Sequence, residues 1–238
     1  MCSGLEWTVD GFDFRIRELD SDDISEVRGM VVGCLYKILF MAFEGLFVKN
    51  WRTQIGLSGL TALLLINIGY DAQYITIFVL FQTCLLGFTD AVSFYCFFAT
   101  EITTFKKEIV NADKTYLKFW ISEVFEDGEW KKVGTAALHE PYQLDKCEFQ
   151  TGEITSLKCV SVSRDWRSKK IGTMLLKYAL SQATLMNYKA IILRVIEEQP
   201  TAVSMYKKNG FEILKVKNTA CLPLLYGINV YVMTRNLQ

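Results

Sequence analysis

The feature that most restricts the fold of this chain is a long interruption of its charge pattern. Residues 53–100 contain only two charged side chains, Asp71 and Asp90, in 48 positions. The apolar runs 54–70 and 72–89 are each about long enough to cross a hydrocarbon core of roughly 27–30 Å as a helix. Because neither run has the polar stripe that a soluble helix needs, the pattern predicts a two-segment transmembrane hairpin.

Two alternatives to a spanning hairpin stay open: a pair of buried core helices and a re-entrant hairpin. The only charge in the short connection is Asp71, whereas basic residues flank the hairpin at Lys37, Lys49, Arg52, Lys106 and Lys107. The positive-inside rule therefore places both flanks in the cytosol. The N-terminal residues 1–14 include acidic side chains and no early apolar run, so we do not expect a signal peptide.

The overall composition argues against several classes of protein. The 238 residues carry 26 Lys and Arg against 26 Asp and Glu, so no charge excess points to a nucleic-acid partner. Seven cysteines form no CxxC pair, so the sequence predicts neither a metal site nor a disulfide framework.

The rest of the chain reads as one α/β domain with a mixed sheet, divided by the hairpin. The predicted parts are 13–52, the first strand and helices; 53–100, the hairpin; and 101–238, the main domain. A helix is expected to begin at 21–26, and an amphipathic stretch covers 32–48. Alternating or buried apolar runs predict strands at 14–19, 116–125, 130–139, 154–162, 190–196, 212–216 and 229–234, with helices at 171–186 and 201–208.

A basic turn separates the predicted strand 154–162 from the helix that begins near Ile171. It includes Arg167, Lys169 and Lys170 and leads into Gly172 at the helix start. The unpaired N–H groups and partial positive charge of a helix N-terminus suit a pyrophosphate. The residues alone leave two interpretations, an anion site and a solvated basic turn.

Two motifs in this region resemble those of the GNAT acetyltransferases. The strand pattern V-x-V is matched by Val160 and Val162, and the loop pattern R/Q-x-x-G-x-G/A runs from Arg167 to Gly172. The downstream YKKNGFE resembles the family's Y-x-x-x-G-F element, with Ala202, Tyr206, Gly210 and Phe211 at matching spacing. Their order and separation make the pair more specific than either motif alone.

The interrupted layout is similar to that of the camello-like membrane-bound N-acetyltransferases, a group that includes cysteine-S-conjugate and lysine acetyltransferases of the endoplasmic reticulum. This resemblance implies a GNAT fold and direct transfer of acetyl from acetyl-CoA to an amine, with no covalent enzyme intermediate. It also implies an endoplasmic reticulum membrane location. Together with the basic flanks, it places the catalytic domain in the cytosol, with the lipid bilayer and a small-molecule, peptide or protein amine as partners.

The resemblance also implies which residues hold acetyl-CoA. The backbone around Val160 and Val162 would pair with the pantetheine arm. The loop and helix start would hold the pyrophosphate, through Arg167, Lys169, Lys170, Ile171, Gly172 and Thr173. Lys170 departs from the family pattern, which has glycine at this position. We expect a helical φ at Lys170, so that its side chain points outward and can pair with phosphate.

For the chemistry, the family places a tyrosine beside the coenzyme A sulfur, and Tyr206 matches that position as the acid. Glu153 is the first candidate for the base, acting through water, and Glu197 and Glu198 are alternatives. The lone His139 is more typical of a loop residue than of a base. Cys159 is expected to be a small core residue, not a nucleophile.

Two other functions remain compatible with the sequence. One is a catalytically degenerate, coenzyme A-binding membrane scaffold, which the Lys170 departure suggests and Tyr206 argues against. The other is a membrane protein that binds a protein partner. The identity of the acceptor cannot be read from the sequence, although the loops 139–151 and 218–227 are expected to form the walls of its pocket.

Overall fold

A computed structural model describes residues 5–141, 152–218 and 227–237 of the chain. Its described strands form one sheet in the order β1-β2-β3-β4-β5-β6-β8-β7. All neighbours are antiparallel except β5 and β6, which are parallel. The predicted α/β class with a mixed sheet is confirmed. The strands are β1 (Leu5–Val9), β2 (Phe12–Glu18), β3 (Lys118–Glu126), β4 (Glu129–His139), β5 (Ile154–Val162), β6 (Ala190–Ile196), β7 (Glu212–Asn218) and β8 (Asn229–Asn236).

The two longest helices lie in the first half of the chain. The helices are α1 (Ile24–Ile68), α2 (Ala72–Val110), α3 (Ala112–Thr115), α4 (Ile171–Leu185) and α5 (Pro200–Lys208), of which α1 and α2 are the two longest. The stretch 32–48 is not a separate helix, because α1 is continuous over 45 residues and contains no proline to break it. The boundaries expected after residues 52 and 100 fall inside α1 and α2.

The two long helices form the expected hairpin. Gly69 ends α1 with a φ of 92°, a left-handed conformation that glycine adopts without steric cost. Both helices contain a stretch that is long and apolar enough to cross a membrane, and none of the stretch Ala72–Thr89 is buried by protein. A pair of core helices would be buried, so that alternative does not describe this hairpin.

The sheet separates two helical layers. On β3, Trp120 faces the core that includes Leu175 and Leu176 of α4. The neighbouring Ile121 faces the opposite core, with Val27 of α1 and Ile109 of α2. This alternation along one strand places α1 and α2 on one face of the sheet and α4 on the other.

A cluster of ion pairs fastens the beginning of α1 to the sheet. Arg17 on β2 contacts Asp23, in the short 3-10 helix before α1, at 2.6 Å and Glu123 on β3 at 2.7 Å. Lys132 on β4 adds a contact to Asp23 at 3.3 Å. The pKa of Asp23 is lowered to about 2, and the hydrogen bond from Arg17 is the largest cause of this shift.

The first strand of the structure was missed by the sequence prediction. β1 pairs with β2 through a turn at Asp10 and Gly11, whose φ values are 52° and 81°. Two consecutive positive φ values are typical of a tight hairpin turn, and Asp-Gly is one of its preferred sequences. This dipeptide is therefore the signal that could have revealed the strand.

Candidate active site

The central feature of the candidate site is a separation between the two parallel strands. β5 and β6 pair from Ile154 with Ala190 to Leu157 with Leu193, and there their pairing ends. β5 continues to Val162 beside β4, and β6 continues to Ile196 beside β8. The carboxyl ends of the two strands therefore enclose a cleft whose edges are backbone N–H and C=O groups. An extended polar chain can bind these groups in place of a strand.

A bulge in β5 lies where the cleft begins. Thr135 pairs with Ser161 and Ala137 pairs with Lys158, so β5 has one residue more than β4 in this interval. Cys159 within it has a φ of 56°, in the left-handed region that is costly for a side chain with a Cβ. The fully buried Thr135 donates its hydroxyl to the Cys159 carbonyl at 2.7 Å.

The turn after β5 prepares the N-terminus of α4. Ser168 and Lys170 have φ values of 66° and 62°. The expectation of a helical φ at Lys170 is therefore wrong, although its side chain is exposed as expected. Alternating left-handed residues orient successive N–H groups toward one point, a geometry that binds anions. This need for positive φ is the physical reason why a glycine suits the position.

The cations predicted for the pyrophosphate have different surroundings. Arg167 donates from Nε to the Val162 carbonyl at 3.0 Å, which ties the turn to the end of β5. Lys169 contacts Asp10 at 3.5 Å, and its Nζ lies 5.3 Å and 5.4 Å from the ring centroids of Phe12 and Trp166. Lys169 is therefore partly engaged by the β1–β2 turn in this structure.

Gly172 marks the point where three elements of the site meet. A Cβ added there would lie 3.6 Å from Val162 Cγ2 and 3.5 Å from Met205 Sδ. The end of β5, the start of α4 and the helix α5 are thus in contact. Since those distances are ordinary van der Waals contacts, the protein's own packing does not require glycine here.

Tyr206 lies next to Met205 on α5 and is buried in the core beneath α4 and α5. Its ring packs against Phe211 at a centroid distance of 5.6 Å. Burial raises the pKa of the Tyr206 hydroxyl well above its ordinary value. The phenol therefore stays protonated at neutral pH and can donate a hydrogen bond.

The two groups of candidate bases lie at opposite ends of the parallel strands. Glu153 directly precedes β5 and forms an ion pair with Lys189, at the end away from the cleft. Glu197 follows β6 at the cleft end, where it accepts from Asn229 at 2.7 Å and from Tyr231 at 3.3 Å. The structure thus does not bring Glu153 to the turn that precedes α4.

A cluster of polar side chains next to the bulge was missed by the sequence prediction. Lys158 on β5 contacts Glu108 on α2 at 3.1 Å, and Tyr116 donates to the same carboxylate at 3.1 Å. The Cys159 thiol donates to the Tyr116 hydroxyl at 3.3 Å. Burial raises the pKa of Cys159 to about 12, so its thiol is a poor nucleophile at neutral pH. Only the fold joins Glu108 to β5, because 50 residues separate it from Lys158.

The last predicted parts of the site are His139 and the two loops expected to form the acceptor pocket. His139 ends β4 and its ring packs edge-on to Tyr116 at 5.7 Å. Most of the predicted pocket walls, 139–151 and 218–227, lies outside the described residues. A separate concavity of about 440 Å³ is lined by Lys177, Leu180, Lys208, Asn209, Gly210 and Arg235, which include none of the predicted site residues.

Comparison with known proteins identifies the class to which this fold and site belong. The model of the acetyltransferase (GNAT) family matches residues 86–211, more than half of the chain. The protein therefore belongs to the GNAT acetyltransferase family. It is similar to the camello N-acetyltransferase of Xenopus tropicalis, with 25% identity over 187 residues that cover 76% of this chain and 70% of that protein. The predicted resemblance is confirmed.

Solved structures support the same fold. An N-acetyltransferase from Staphylococcus aureus Mu50 has a TM-score of 0.53 at 11% identity and covers 94% of this chain and 99% of its own. The yncA protein of Salmonella typhimurium, solved with its cofactor acetyl-CoA, has a TM-score of 0.52 at 12% identity and covers 94% of each chain. At these identities the likeness concerns the fold alone.

Proposed function

We propose that this protein is a membrane-anchored N-acetyltransferase that transfers acetyl from acetyl-CoA directly to an amine. The observation that carries the proposal is the cleft between β5 and β6, which opens next to the turn that precedes α4. That arrangement offers strand edges for an extended arm and a helix N-terminus for a pyrophosphate. Belonging to the GNAT family supports the same reaction.

Several of the chain's own groups fit acetyl-CoA. The backbone of Val160 and Val162 would bind the pantetheine arm along the cleft. The N–H groups of Ile171, Gly172 and Thr173, at the start of α4, would bind the pyrophosphate. The exposed Lys170 adds positive charge at that position. Arg167 and Lys169 would bind the pyrophosphate through N–H groups that do not take part in their present contacts.

When bound, acetyl-CoA supplies a thioester carbonyl for the amine to attack and a thiolate that leaves. Tyr206 would donate a hydrogen bond to the leaving sulfur, because its phenol carries its proton at neutral pH and burial raises its pKa further. Its raised pKa makes complete proton transfer less favourable than donation of a hydrogen bond. The backbone N–H groups at the bulge would stabilise the charge that develops on the carbonyl oxygen.

Removal of the amine proton is assigned to a carboxylate acting through water. Glu153 is the residue proposed from the sequence, although its ion pair with Lys189 and its position away from the cleft argue for an indirect role. Glu197 lies at the cleft end of β6 and is the alternative. Comparing Glu153→Gln with Glu197→Gln in the pH profile of turnover would separate them, because loss of the base removes its acidic limb.

Anchoring in the membrane is proposed from the hairpin. α1 and α2 expose large apolar side chains over the predicted spans, including Leu63, Ile66, Ile77, Phe81 and Phe88. The basic flanks favour a cytosolic catalytic domain. The endoplasmic reticulum is proposed as the membrane from the resemblance to the camello-like group of acetyltransferases. Protease protection of a C-terminal epitope on sealed microsomes tests the orientation, which is wrong if the epitope stays shielded until detergent is added.

The proposed activity is tested by titrating acetyl-CoA into the purified protein in nanodiscs, followed by a screen of cysteine conjugates, lysine peptides and peptide N-termini. We expect saturable binding and acetylation of at least one acceptor class. Binding without turnover of any acceptor would favour the coenzyme A-binding scaffold. Absence of binding would overturn the proposal. Gly172→Asp, which places a carboxylate at the pyrophosphate position, is the negative control.

A further inference from the structure

Four observations coincide at a single point of β5. The pairing with β6 ends at Leu157, the extra residue of the bulge follows, Cys159 takes a positive φ, and its carbonyl accepts from Thr135. A positive φ in the middle of a strand persists only where the surroundings determine it. The Thr135 hydroxyl is a side-chain group that bonds this backbone directly.

We propose that Thr135 is a positioning residue for acetyl transfer, an inference that rests on the proposed function. Its hydroxyl holds the Cys159 carbonyl on the β4 side of the strand. β5 then bends away from β6, and the N–H groups that follow the bulge point into the cleft. Thr135 itself is fully buried and bonds to the Cys159 carbonyl, so it acts through the backbone of Cys159.

Removing the hydroxyl has a predictable effect on this backbone. Without Thr135 Oγ1, the Cys159 carbonyl loses the hydrogen bond from that hydroxyl at a buried site. The positive φ is then opposed by its own steric cost, and the residue relaxes toward the ordinary strand conformation. The donors of the cleft would move, whereas the turn 163–170 and the start of α4 would keep their geometry. The loss should therefore concern the reacting carbonyl more than the pyrophosphate.

The strand β5 provides a matched control for the Thr135 substitution. Thr155 on β5 donates its hydroxyl to the His139 carbonyl at 3.1 Å, in the region where β5 and β6 are still paired. Thr155→Val removes the same type of bond from the same pair of strands, away from the bulge. Thr135→Ser keeps the hydroxyl at the bulge and should restore the wild-type behaviour.

The experiment measures kcat and the KM for acetyl-CoA in nanodiscs with the best acceptor of the screen, together with backbone amide chemical shifts of β5. We expect Thr135→Val to lower kcat at least tenfold and to change the KM for acetyl-CoA less than threefold. Thr155→Val and Thr135→Ser should keep both constants within about threefold. The amide signals of Cys159 and Val160 should shift in Thr135→Val and not in Thr155→Val.

Two results would overturn the assignment: a folded Thr135→Val variant with wild-type kcat, or equal losses in Thr135→Val and Thr155→Val. If the wild-type protein does not bind acetyl-CoA, the proposed function fails. The amide shifts then decide separately whether Thr135 holds the bulge. Unchanged shifts of Cys159 and Val160 would overturn that part as well.

Discussion

Glu108 on α2 and Lys158 on β5 form an ion pair that joins the helical hairpin to the edge of the cleft. Glu108 Oε2 and Lys158 Nζ are 3.1 Å apart, and the side chains are only 15% and 11% exposed. Glu108→Gln leaves a largely buried ammonium with a weaker acceptor. We expect it to lower the free energy of unfolding by about 2–3 kcal/mol, measured by denaturation in mild detergent.

An exposed ion pair offers a control for this prediction. Glu18 pairs with Lys118, and their side chains are 44% and 40% exposed. Glu18→Gln should therefore lower the free energy of unfolding by less than about 1 kcal/mol. Equal losses from the two substitutions would show that burial does not strengthen the Glu108 pair.

Lys170→Gly should stabilise the protein. The present φ of 62° places a side chain with a Cβ in the left-handed region, at a cost of about 1–2 kcal/mol. Glycine removes that cost but adds freedom to the unfolded chain, so the expected net gain is about 1 kcal/mol or less. Thermal unfolding measures it. Lys170→Ala, which keeps the Cβ, should bring no such gain, and a gain from alanine would refute the backbone explanation.

Gly172→Ala and Gly134→Ala should separate cofactor binding from packing. The added methyl at Gly172 meets only ordinary contacts, so stability should change by about 0.5 kcal/mol or less. Affinity for acetyl-CoA should fall about tenfold, because the methyl enters the space where a pyrophosphate approaches the helix. Titration calorimetry measures the affinity of the folded variant.

At Gly134 the added methyl would lie 2.8 Å from Leu175 Cδ1 and 3.2 Å from the Ser161 carbonyl oxygen. This variant should lose about 1–3 kcal/mol of stability through overpacking. If Gly172→Ala binds acetyl-CoA with unchanged affinity, the pyrophosphate does not bind next to Gly172.

Tyr206→Phe should lower turnover without weakening the cofactor complex. The substitution removes only the hydroxyl, so the packing of the ring against Phe211 is retained. Loss of a positioned proton donor costs about 10²–10⁴ in rate, and we expect the lower end because water can reach the thiolate. Single-turnover rates and acetyl-CoA titration test the two parts. A wild-type rate with chemistry limiting would make Tyr206 a packing residue.

The pH dependence of stability should reveal Asp23. Its folded-state pKa is lowered to about 2, chiefly by the hydrogen bond from Arg17, so its contribution is complete above the unfolded value of about 4. The contribution is lost as the pH falls from 4 to 2. Over this range the wild-type protein should lose about 2 kcal/mol more unfolding free energy than Asp23→Asn. Parallel pH profiles would contradict the linkage.

Local patterns were sufficient to predict much of this molecule. The alternation on β3 and β4 and the apolar runs around Asp71 each depend on neighbouring residues, and those elements are present. The spacing from Val160 to Gly172 and from Ala202 to Phe211 likewise identified the family. Elements with a local signal can be read from the sequence because that signal lies within one turn or one strand.

The parts that could not be predicted depend on distant residues. The bond between Thr135 and Cys159 joins two strands in a register that a bulge alters, and no short pattern encodes it. Nothing in the sequence around Glu108 distinguishes it from the other carboxylates, because its contact with Lys158 exists only in the folded chain. The φ of Lys170 was misjudged because a lysine at a helix start normally suggests a helical conformation.

The placement of the hairpin between β2 and β3 has a consequence for synthesis of the protein. β2 ends at Glu18, but its partner β3 is complete only at Glu126. At about 5–20 residues per second, ribosomes need roughly 5–20 s to make the residues between them. During this time β1 and β2 have only each other, and an isolated two-stranded hairpin is marginally stable in water. The sheet therefore closes only after the whole helical hairpin has been made, and until then the edge of β2 that pairs with β3 is unpaired and available for aggregation.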